Sequence, residues 1–111
     1  MYEIRPVEGF PNYFVTSAGE ILTYTDRGAG RPLRLLARRG GFYLTAGLQV
    51  RGEYHHKRVD RLVAEAFLED PKAKLDTVIH LNEDFADNRV ENLAWVSYED
   101  VAGPRSEWKL N

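Results

Sequence analysis

Turn-forming residues recur so closely through the first half of this chain that only short strands fit between them. GFPN at 9–12 and SAGE at 17–20 bracket the β-rich run YFVT at 13–16, and ILTY at 21–24 returns, so residues 13–24 are expected to form a hairpin. FYLTAGLQV at 42–50, a turn at RGE (51–53) and YHHKRV at 54–59 predict a second hairpin. The intervening TDRGAGRPLRLLARRGG at 25–41, rich in Gly and Arg, reads as an exposed loop.

At Asp60 the period changes. DRLVAEAFL at 60–68 sets Leu62, Val63, Ala66 and Phe67 on one face at helical spacing, with Asp60 as a plausible N-cap and Pro71 blocking continuation. The acidic linker EDPKAKLD leads to a strand at 77–81, a polar loop and a strand around 93–96. Ser97 to Asp100 matches the S-x-x-D form of a capping box, and Gly103-Pro104 should end the resulting helix within about two turns. The expected fold class is α+β: two small N-terminal β-hairpins, a helix, and a C-terminal strand–loop–strand–helix unit.

A chain of 111 residues suits one domain, or two small modules sharing a core. No apolar run approaches the roughly 20 residues that span a bilayer, and MYEIRPVEG has neither the n-region nor the h-region of a signal peptide. Cysteine is absent, which excludes disulfide frameworks and thiolate zinc sites and fits a cytoplasmic location. The net charge of −2 hides a division. Residues 27–61 hold nine Arg or Lys against Glu53 and Asp60, whereas 62–100 hold ten acids against Lys72, Lys74 and Arg89. The first half suits a phosphate backbone, with Arg31, Arg34, Arg38, Arg39, Arg51, Lys57 and Arg58 as candidate DNA contacts. The acidic half would repel DNA unless it binds a cation or faces away. His55 and His56 are adjacent on a strand, so they point to opposite faces and cannot share one metal. The aromatics Phe10, Tyr13, Phe14, Phe67 and Trp95 read as core.

Three segments carry a resemblance to the HNH homing endonucleases that are common in phages. HLNEDFADNRVENLAWVS at 80–97 resembles their pattern H-I-D-G-N-x-x-N-N-x-x-x-N-L-x-W-V-T, RLVAEAF at 61–67 resembles the helix before it, and EGFPNYFVTSAGEIL at 8–22 resembles a NUMOD-type module. The resemblance implies a division into a NUMOD-like β module (1–58, with the basic loop 25–41), an HNH-like ββα region (59–102) and a tail (103–111).

It also implies a chemistry: metal-dependent hydrolysis of DNA phosphodiesters, with a His taking the proton of the attacking water and a divalent ion, commonly Mg²⁺, neutralising the phosphate. His80 falls at the general base and Asn92 at the motif's central Asn, while Asn88 matches the second Asn of the Asn-Asn pair, a structural loop residue. Ile79 and Val101 stand where the family has metal ligands, and Asp60 stands where many members have His. Asp84, Asp87 and Asp100 are the substitute metal candidates. The alternative is an inactive HNH-fold protein needing no cofactor, one that binds or inhibits a host protein or binds DNA without cutting.

Overall fold

The structure, a computed structural model, describes residues 2–25, 28–32, 36–37, 43–69 and 75–104. Strands β1 (Ile4–Val7), β2 (Phe10–Thr16), β3 (Ile21–Thr25) and β4 (Gly28–Pro32) form an antiparallel meander in that order. A second meander joins β5 (Leu36–Ala37), β6 (Leu44–Val50) and β7 (Glu53–Arg58). Helix α1 (Val59–Phe67) follows, then the hairpin of β8 (Thr77–His80) and β9 (Leu93–Val96), and finally the single turn α2 (Tyr98–Val101). The α+β class, both N-terminal hairpins, the helix and the terminal unit are as the sequence predicts. None of the described helices is long and apolar enough to cross a membrane.

The basic segment differs from its reading as a loop. Gly28–Pro32 pairs with β3, Thr23 opposite Arg31, and Leu36–Ala37 pairs with β6. Edge strands of this kind are held by backbone pairing, which a Gly- and Arg-rich composition does not announce. Arg34, Arg38 and Arg39, like Pro71 and Trp108, lie outside the described residues.

The turn between β6 and β7 shows why its hairpin closes in two residues. Arg51 and Gly52 both have positive φ (52° and 80°), the condition for a turn whose twist matches the strands it joins. One core then links all three sheets through α1. Val15 and Ile21 from the first sheet, Ala46 and Leu48 from the second, Val59, Leu62 and Val63 from the helix, and Val78 and Leu93 from the last hairpin pack together. Phe10, Tyr13, Phe67 and Trp95 are partly buried around it. Arg5 fastens the helix end to β1, donating to the Ala66 carbonyl at 2.5 Å and covering the Phe67 ring at 4.8 Å.

Two predicted caps are replaced. Asp60 is not the N-cap: α1 begins after Arg58, and Asp60 sits inside the first turn with its carboxylate on the Arg58 guanidinium. Ser97 is the N-cap of α2 but makes no side-chain cap bond. The Tyr98 amide instead donates to Asp76 Oδ1 at 3.1 Å, and that bond holds the Asp76 carboxyl below its usual range. In both cases a partner outside the local motif wins.

The turn between β2 and β3 touches the loop between β8 and β9. Thr16 Oγ1 and the Thr16 carbonyl accept from the amides of Glu20 and Gly19 (both 3.0 Å). Ser17 O then accepts from Val90 N at 2.9 Å, across the chain. Gly19 has φ +89°, and a Cβ there would meet the carbonyl carbon and oxygen of Asn88 at 2.8 Å. Gly19→Ala is therefore expected to cost about 2 kcal/mol or more, from the left-handed backbone and the collision together. Chemical denaturation measures it; a change within about 0.5 kcal/mol would mean that turn and loop do not meet this closely.

Candidate functional site

His80 is the last residue of β8, and the chain must leave the sheet directly after it. Leu81 N still reaches the Asn92 carbonyl at 2.8 Å, prolonging the pairing by one bond. Glu83 N then returns to the His80 carbonyl at 3.0 Å, and Glu83 takes a positive φ of 64° to complete the turn. The imidazole is buried, 2% exposed. Its Nε2 lies 2.8 Å from Asn88 Oδ1. An amide oxygen only accepts, so Nε2 carries the hydrogen and Nδ1 is left with a free lone pair. Among the described residues Nδ1 has no hydrogen-bond partner, nor has Asn88 Nδ2. The Phe85 ring meets the imidazole edge-on at 5.5 Å between centroids, and Tyr43 lies at 6.1 Å.

Asn92 is buried (5% exposed) and works on the backbone of this loop. Its Oδ1 accepts from Asn82 N at 3.0 Å, and its Nδ2 donates to Asn82 Oδ1 at 2.9 Å and to the Asp87 carbonyl at 2.8 Å. The residue pins both ends of the irregular segment that follows His80. Alanine at Asn92 removes all three bonds and is expected to cost about 3 kcal/mol, with the His80 ring resonance shifting in NMR spectra. An unshifted resonance would separate Asn92 from the placement of His80.

The acids that crowd this loop are occupied by the loop itself. Asp84 Oδ1 accepts from Ala86 N at 3.0 Å. Asp87 receives Arg89 Nε and Nη2 (2.8 Å each) and Asn82 Nδ2 (2.8 Å). The Arg89 hydrogen bonds, ahead of any other cause, hold the Asp87 carboxyl far below its usual range. Asp100 stands apart on α2. Among the described residues no three His, Cys, Asp or Glu side chains converge in a way that could hold a metal ion. Ile79 is buried (7% exposed) and offers no donor atom, nor does Val101. The three substitute candidates Asp84, Asp87 and Asp100 are thus not brought together, and this donor set does not fit a hard divalent ion, which takes several oxygens.

A carboxyl whose pKa is depressed by folding favours the folded state at pH above its unfolded value, near ~3.9, and this contribution fades as pH falls below that value. Arg89→Gln should therefore destabilise the protein near neutrality and match the parent at low pH, moving acid unfolding to higher pH. Parallel unfolding curves at every pH would show that Arg89 does not hold Asp87.

Of the candidate DNA contacts, Arg51 is exposed at the tip of the β6–β7 turn. Lys57 lies exposed on β7 with its ammonium 6.0 Å from the Phe10 ring centroid, and Arg31 belongs to β4. Arg58, at the end of β7, donates Nε and Nη2 to Asp60 at 3.1 and 2.5 Å and covers the Tyr43 ring at 3.7 Å. Sequence reasoning missed the Asn88 bond to His80, the two rings against it, and the tie between Arg58 and Asp60. Asp60, standing where a His is expected two residues after an Arg, was the available signal for the last.

No protein-family model matches the chain. In sequence it is 35% identical over 95 residues to an uncharacterized HNH endonuclease of Acanthamoeba polyphaga mimivirus, covering 83% of this chain and 22% of that one. The chain therefore spans about a fifth of the curated relative's length. In structure it matches the HNH homing endonuclease I-HmuI, from work on DNA binding and cleavage by that enzyme, with a TM-score of 0.78 and 28% identity. That match covers 90% of this chain and 55% of the other. Fold and sequence agree: the chain belongs to the HNH endonuclease family.

Proposed function

We propose that the chain binds DNA and that His80 is the proton acceptor of an HNH-type hydrolysis of phosphodiester bonds. The observation that carries this reading is the tautomer set by Asn88: with the hydrogen on Nε2, the bare Nδ1 is the atom able to take a proton from water. A general base must be oriented before the reaction, and the Asn88 bond holds the ring in place. Asn92 acts as a positioning residue through the loop backbone. The kinship with I-HmuI, a DNA-binding and DNA-cleaving enzyme, supports DNA as the partner. Arg51 and Lys57, with Arg31, Arg34, Arg38 and Arg39 of the basic segment, supply the charge to hold it.

Family membership favours a divalent metal, Mg²⁺ being the usual one, but the donors among the described residues do not fit it. That mismatch favours a second reading, DNA binding without cleavage, on a specific observation: Ile79 and Val101 are apolar at both ligand positions.

Nicking of supercoiled plasmid in Mg²⁺, Mn²⁺ or chelator, alongside DNA binding by gel shift, separates the two. The hydrolytic reading expects nicking by the parent protein and a loss of about a hundredfold or more in His80→Ala, with binding unchanged. Binding without nicking in any metal establishes the second reading. Equal nicking by parent and variant sinks the role of His80.

A further inference from the structure

Asp60, in the first turn of α1, stands where many members of the family have His. Asp60 is 2% exposed, and the Arg58 side chain retains 31% of its exposure. A carboxylate buried this deeply is stable only with a partner, and Arg58 provides a bidentate one through Nε and Nη2. The guanidinium plane is also held by the Tyr43 ring at 3.7 Å. Both its in-plane angle and its tilt are fixed.

That arrangement leaves a specific edge of the guanidinium unused. Asp60 occupies the Nε side, so Nη1 and the outward hydrogen of Nη2 remain, and Nη1 has no partner among the described residues. Two parallel N–H groups on one edge match two oxygens of a phosphate. The edge lies close to the candidate site: Tyr43 touches Arg58 on one hand and stands 6.1 Å from His80 on the other, which keeps guanidinium and imidazole within about 10 Å. Arg58 also lines an open cleft of about 470 Å³ with His56, Lys57 and Arg61. Glu65 on that cleft faces Arg61 at 3.8 Å, and Glu8 lines its far side.

We infer that Arg58, oriented by Asp60 and Tyr43, is a phosphate-binding residue near His80, a preset donor pair for an anion. The inference rests on the DNA reading for the source of the phosphate, and on the geometry alone for the anion site. Because Asp60 balances the charge of Arg58, the attraction comes from oriented donors, not from a net positive field.

The test uses Arg58→Gln combined with Asp60→Asn, which removes the ion pair without stranding a buried carboxylate. Thermal melts of the full chain check that it folds. Inorganic phosphate is titrated against chloride at matched ionic strength, with the Arg58 Nε–H and His80 ring resonances followed by NMR, and DNA binding is measured beside it. The inference expects phosphate-specific shifts in the parent, their loss in the double variant, and DNA binding weakened about tenfold. Should the double variant fail to fold, Arg58→Lys keeps a cation by Asp60 but loses the donor pair, and the phosphate shift and the tenfold loss are expected there instead. No phosphate-specific shift in the parent, or an equal one in the folded variant, overturns the inference. Phosphate shifts in a parent that does not bind DNA would leave the anion site standing and remove the DNA reading.

Discussion

The contact between the first hairpin's turn and the loop after His80 holds two distant parts of the chain in register. Ser17 O accepts from Val90 N, and Gly19 lies directly against the backbone of Asn88. Asn88 in turn sets the imidazole. A turn formed by SAGE, seventy residues upstream in sequence, therefore reaches the candidate base through one intermediate residue. The small size of Gly19 is what permits this, since any side chain would push Asn88 away from His80. The N-terminal sheet is in this respect part of the site's construction, and the helix between them supplies the common core on which both are packed.

The electrostatics of the loop follow from the same economy of local partners. Ten acids between residues 62 and 100 suggest a repulsive or cation-seeking half. In the folded chain the loop acids answer mostly to nearby donors: Asp84 to the amide of Ala86, and Asp87 to Arg89 and Asn82. Arg89 further approaches Glu91 at 3.5 Å. The same bonds rigidify an eleven-residue excursion, 81–91, that has no regular structure until its closing turn at Val90–Asn92.

Much of the framework was legible in the sequence because its signals are local. The turns at 17–20 and 51–53 and the change of period near residue 60 each fix one element that is present, whereas the turn expected at 9–12 falls at Glu8–Gly9 and Phe10 to Asn12 already belong to β2. Local signals also explain the misses. A capping rule applied to Asp60 or Ser97 sees only three or four neighbours, and the deciding partners were the Arg58 side chain folding back and Asp76 from 22 residues away. Strands β4 and β5 pair through backbone groups that composition does not reveal. Within the site, His80 and Asn92 could be located by resemblance, but the bond from His80 to Asn88 depends on the path of an irregular loop, which no periodicity encodes.

The substitutions at the site make more sense together than singly. Ile79 sits easily on β8, since an apolar side chain there is buried readily. Placing a carboxylate at position 60, beneath the core, is costly unless a guanidinium comes with it. Arg58 meets that need and is then held to a single orientation by Tyr43, the ring that also flanks His80. The chain buries an acid and tethers a half-buried arginine near an imidazole–amide pair. The burial of Asp60 thus has a consequence beyond stability: it holds the half-buried Arg58 guanidinium in one orientation, with Tyr43 between it and His80. Oriented donors act on an anion without reorganising.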